Sequence, residues 1–137
     1  EQEHANLRHA LDYYSTSGSE QAVAALEMAT ALCRFWEIRG HWRAGLDRLD
    51  RALEAAPEAP HLLQARALSR AGILARVQGD LAGARRRLEA ALHLFREQQD
   101  ERGIGHTLNN LGVVARTEGR VEEAEACFRE SWELQLR

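Results

Sequence analysis

Three glycines, Gly40, Gly79 and Gly119, each follow a helix-favouring run and stand 39 and 40 residues apart. Aligned on them, the chain repeats itself. Two positions on stand Trp42, Leu81 and Val121; five on, the small residues Gly45, Ala84 and Ala124; nine on, the large apolar Leu49, Leu88 and Phe128. Twelve on come Ala52, Ala91 and Ser131, followed directly by Leu53, Leu92 and Trp132. Seven positions before each glycine is another small residue, Cys33, Gly72 or Gly112. Self-similarity at such a period means a repeat array, whose units bury their apolar faces on one another.

Each unit reads as a helix, a turn and a second helix. The small residue seven before the glycine lets two antiparallel helices approach closely. The glycine ends the first helix in a left-handed conformation, and the second buries residues three to four apart along one face. Pro57 and Pro60 close the first unit, because neither fits a helix interior. Composition agrees: 23 alanines and 19 leucines favour helix, against 12 valines, isoleucines and threonines together. The expected fold is all-α, with about seven helices over residues 2–15, 18–39, 42–56, 61–78, 81–98, 102–118 and 121–136. Ser17 with Glu20 is read as a capping box that opens the second of these. One domain of 137 residues follows, divided into a leading helix (1–17) and units at 18–58, 59–99 and 100–137. Because it opens on Glu1, the chain is expected to be part of a longer protein.

These residues resemble the tetratricopeptide repeat. The third unit carries the likeness best, as Asn110-Leu111-Gly112, Gly119, Val121, Ala124, Phe128 and Trp132. The second is nearly as good, with Gly72, Gly79-Asp80-Leu81, Ala84, Leu88 and Ala91-Leu92. The first departs from the pattern: Cys33 replaces a glycine and Gly45 an alanine. The resemblance implies a right-handed superhelix of antiparallel helix hairpins that binds a protein or peptide.

Four segments resemble the repeat regions of large bacterial signal-transduction ATPases: His4 to Asp12, Phe35 to Gly40, Gly79 to Ala82 and Glu101 to Gly112. That likeness implies a cytoplasmic effector-sensing segment of a LuxR-type, SARP-type or maltose-activator-like transcriptional regulator, working beside an upstream nucleotide-binding domain. The alternative is a peptide- or protein-binding scaffold with no transcriptional role.

Chemistry is sparse. Gly103-Ile104-Gly105 lacks a third glycine and a preceding strand, so it does not read as a dinucleotide loop. The six histidines show no metal-ligand spacing, and no cofactor is expected. Cys33 and Cys127 lie in the first and last units and read as small packing residues rather than a disulfide. No apolar run is long enough to span a membrane. A net charge of −3 argues against nucleic-acid binding by this segment. Arg85-Arg86-Arg87, with Glu89 one turn on, reads as a solvated and partly paired helix face. Trp36, Trp42 and Trp132 read as core or inter-repeat packing, and one of Tyr13 and Tyr14 as a cover for the open end. Catalysis is not expected.

The arginines say more. All 18 basic residues are arginine. By the resemblance, the first helix of each unit lines a concave groove. The positions so carried over include Arg34, Arg66, Arg70, Arg76, His106, Asn109, Asn110 and Arg116. Guanidinium forks and amides suit carboxylate, phosphate or peptide-backbone partners. An anionic segment of a protein, or a small anionic effector, is the expected ligand. The competing expectation is that these arginines pair with nearby glutamates. The uncapped ends of such an array are also surfaces through which a homodimer would form.

Overall fold

The structure, a computed structural model, describes the backbone of residues 2–137 and the side chains of residues 18–137. Among these residues are six helices and no strand: α1 Gln2–Arg39, α2 Trp42–Ala55, α3 His61–Val77, α4 Leu81–Glu97, α5 Glu101–Thr117 and α6 Val121–Gln135. They pair as the hairpins α1/α2, α3/α4 and α5/α6, and each hairpin packs on the next.

The turns follow from the glycines. Gly40, Gly79 and Gly119 have φ of 76°, 87° and 82°. The N–H after each reaches five residues back: His41 to the Trp36 carbonyl at 2.9 Å, Asp80 to Ala75 at 2.9 Å, Arg120 to Ala115 at 2.8 Å. This satisfies carbonyls that the ended helix leaves without a partner. Asp80 and Asp100 then cap α4 and α5, accepting the N–H of Gly83 and Gly103 at 2.9 and 3.2 Å. The link from α2 to α3 is held differently. Pro60 sits at the N-cap of α3, and the Gln64 side-chain amide donates to the carbonyls of Pro57 and Ala59.

One expected boundary is absent. Residues 2–39 form a single helix with no break at Ser17, so there are six helices rather than seven. A capping box requires its first residue outside helical geometry. Ser, Thr and Gly in a helix interior each cost only about 0.5–1 kcal/mol relative to alanine, and no proline forces a stop. The roles expected for Tyr13 and Tyr14 lie outside the described side chains.

Close approach inside the hairpins explains the small residues. A Cβ on Gly72 would lie 2.7 Å from Leu88 Cγ, and one on Gly112 would lie 2.6 Å from the Phe128 ring. In the first hairpin the exchange runs the other way: a Cβ on Gly45 would lie 2.8 Å from Trp36 Cε3. Trp36 and Gly45 occupy the positions of Ala75 with Ala84, and of Ala115 with Ala124. A large and a small residue replace two alanines. Cys33 is buried in that hairpin, its Sγ facing the Arg70 carbonyl, and burial pushes its thiol up to about 11. It is a packing residue rather than a nucleophile.

Between hairpins, Leu49 and Leu53 share a core with Ala67, Ala71 and Leu74, while Leu88 and Leu92 share one with Leu111 and Val114. The arginine cluster ties the same joints. Arg85 pairs with Glu89 as expected, but it also reaches Glu118 and Glu123 of the third hairpin, at 2.5 and 2.6 Å. Arg87 pairs with Asp50 of the first at 2.7 Å. The expected solvated face is therefore an inter-hairpin ion network, and only Arg86 is exposed. Trp36 is core, as expected; Trp42 lies at the edge with its Nε1 donating to the Glu37 carbonyl. Trp132 departs from expectation and is 62% exposed, because it faces the open end of the array.

Candidate functional site: an arginine-lined groove

The first helices α1, α3 and α5 lie side by side. Their shared flank forms a groove of about 1550 Å³. Each helix contributes two residues one turn apart: Thr30 and Arg34 from α1, Arg66 and Arg70 from α3, Arg102 and His106 from α5. Residues four apart stack on one helix face, so the groove carries two rows of such side chains. Ser69 and Asn109 add a hydroxyl and an amide between them.

The charges are unbalanced in a specific way. Among the described residues, Arg34, Arg66, Arg70 and Arg102 make no ion pair; the pairs form at Arg85, Arg87, Arg96, Arg120 and Arg137, with His93. Among the described residues, three carboxylates also border the groove, but two are engaged elsewhere. Asp100 caps α5, and Glu101 pairs with Arg137 at 3.1 Å. Glu27 is the third. His106 reports the resulting field. Partial desolvation by the groove walls lowers its pKa from the usual 6.5, and the positive charges of Arg70 and Arg102 lower it further. The groove is a cationic cleft that disfavours the charged form of its imidazole.

Five of the eight sequence-derived candidates come together here: Arg34, Arg66, Arg70, His106 and Asn109. The other three lie off the groove. Asn110 is buried, its Nδ2 donating to the His106 carbonyl at 3.0 Å. Arg116 lies over the Phe128 ring at 5.7 Å, and Arg76 is half-buried with its Nε lacking a partner among the described residues. Both stand in the last turn of their helices, where a cation complements the helix dipole. Sequence reasoning missed Arg102 and the Pro60, Leu62 and Leu63 wall. Arg102 had a signal: it precedes His106 by four, as Arg66 precedes Arg70.

Residues 63–137, more than half of the chain, match the model of the family described as Tetratricopeptide repeat. No curated protein matches the chain. Among solved structures, the crystal structure of BtubC (BKLC) from P. vanneervenii is similar, with a TM-score of 0.69 and 21% identity over 89% of this chain. At that identity the likeness is one of fold. The match covers 54% of the BtubC chain, so this chain spans about half its length.

Proposed function

Because the chain belongs to the tetratricopeptide repeat family, whose members are interaction scaffolds rather than catalysts, we propose that it binds an acidic segment of a partner protein in the arginine groove. One observation carries this reading: among the described residues, four groove arginines have no carboxylate partner, although the chain has 21 acidic residues against 18 basic ones. Guanidinium groups left without internal partners keep their forked donors for an incoming carboxylate or phosphate. Arg34, Arg66, Arg70 and Arg102 supply charge, and Asn109 supplies amide contacts to a peptide backbone. A small anionic effector would use the same donors.

The finer setting we propose is a cytoplasmic sensor segment of a bacterial transcriptional regulator or signal-transduction ATPase. Groove occupancy would there shift packing against an upstream nucleotide-binding domain. The wording of His4–Asp12, Phe35–Gly40 and Glu101–Gly112 supports it. A general protein-binding scaffold is the second reading, and it uses the same groove. A phosphate-binding loop or a helix-turn-helix encoded in the same gene supports the regulator; a gene with neither supports the scaffold.

Calorimetry with acidic peptides and their glutamine-for-glutamate counterparts tests the groove. Acidic peptides are expected to bind, and Arg70→Glu to abolish binding, while Arg116→Glu, off the groove, leaves it intact. Equal binding of acidic and neutral peptides overturns the proposal.

A further inference from the structure

The two ends of the array carry the two halves of the contact that joins its hairpins. Twelve, eight and five positions before the turn glycine stand Ala67, Ala71 and Leu74 on α3, and Thr107, Leu111 and Val114 on α5. All six are buried. The leucines and the valine pack on residues nine and thirteen after the preceding glycine: Leu49 and Leu53, or Leu88 and Leu92. On α1 the same positions hold Met28, Leu32 and Phe35, which are 66%, 41% and 51% exposed. At the far end, Phe128 and Trp132 stand nine and thirteen after Gly119, and no described helix covers Trp132. A terminal unit that closes an array carries a polar outer face. Both ends here carry apolar side chains, and those on α1 are larger than the alanines at the matching positions of α3.

We propose that the chain stacks head to tail, with α1 of one copy seated on α6 of another. Leu32 and Phe35 then meet Phe128 and Trp132, continuing the inter-hairpin packing across a molecular boundary. Charge placement supports a second copy as the occupant. Inside the molecule, Arg85, six after its glycine, pairs with Glu118, one before the next. The same two positions across the new contact hold Glu125 and Arg39, a complementary pair with the signs exchanged. The positions of the Arg87–Asp50 pair become Arg48 and Arg129. Both are exposed, and such long side chains turn their charged heads to water, which leaves the contact weaker than its internal counterparts. A contact between two different faces leaves a free face at each end, so association proceeds beyond a dimer unless a ring closes.

Sedimentation of the whole chain from about 1 µM to about 1 mM tests this. The average mass is expected to rise with concentration past that of a dimer. Phe35→Glu and Trp132→Glu alter exposed positions at opposite ends, and unchanged helical circular dichroism verifies their folds. Each variant alone is expected to be monomeric. Mixed in equal amounts, they retain one intact face each and form a dimer that grows no further. A wild-type chain that stays monomeric throughout overturns the proposal. So does self-association of either variant alone, or a mixture that remains monomeric.

Discussion

At Gln99 the backbone takes φ of 55°, and Asp100 N–H reaches back to the Phe95 carbonyl at 3.0 Å. The geometry matches that of Gly40, Gly79 and Gly119, but here a side chain bears the left-handed strain. Gln99→Gly is therefore expected to stabilise the chain by about 1 kcal/mol, read as a higher urea midpoint with unchanged slope. Thr107 is the second residue at odds with its surroundings. Its side chain is fully buried, and its Oγ1 has no hydrogen-bond partner among the described residues. Thr107→Val keeps the shape and removes the unsatisfied hydroxyl, for an expected gain of about 1 kcal/mol. A loss of stability on that change would show that the hydroxyl has a partner after all.

Among the elements, α1/α2 differs from the other hairpins by the exchange of Trp36 with Gly45 for two alanines, and a double-mutant cycle isolates it. Trp36→Ala leaves a cavity and is expected to cost about 3–5 kcal/mol. Gly45→Ala drives a Cβ into the indole and is expected to destabilise by about 1–2 kcal/mol, overpacking exceeding the helix-propensity gain. In the Trp36→Ala background that clash is gone, and the same Gly45→Ala change is expected to stabilise. Additive effects in urea unfolding would mean the two residues are not coupled. Element ends at Gly40, Gly79 and Gly119 were legible in the sequence because a left-handed glycine turn is a local device. The missing break at Ser17 was not, since a cap competes with continued helix by a margin that single-residue propensities do not resolve. The reach of Arg85 to Glu118 and Glu123 was hidden for another reason: the partners lie 33 and 38 residues away, and only the stacking of hairpins brings them together.

On the scale of the molecule, net charge and site charge have opposite signs: the chain carries −3, yet its groove gathers four arginines without ion-pair partners among the described residues. The resemblance to the tetratricopeptide repeat implied that α1, α3 and α5 share one flank, and so singled out Arg34, Arg66, Arg70, His106 and Asn109. It placed Arg76 and Arg116 there too, because it projects a whole helix onto the groove, whereas the cleft follows the C-terminal part of α1 and the N-terminal halves of α3 and α5. The pH dependence of binding tests whether this field does what its geometry suggests. In the empty groove the His106 pKa lies below 6.5, from desolvation first and then from Arg70 and Arg102. Arg34 and Arg66 add positive charge to the same cleft, with Glu27, Asp100 and Glu101 on its rim. A bound anion offsets the arginine field, so the bound-state pKa lies above the free one. Between the two values binding takes up a proton. Affinity for an acidic peptide is therefore expected to be flat above the bound-state pKa, to strengthen as pH falls through it, and to level off below the free-state value. His106→Ala should remove that slope and keep the salt dependence, because the arginines still act over the roughly 10 Å screening length of 0.1 M salt. Calorimetry at several pH values and two salt concentrations reads both. Affinity that weakens as pH falls through this window would mean that the anion does not sit beside His106.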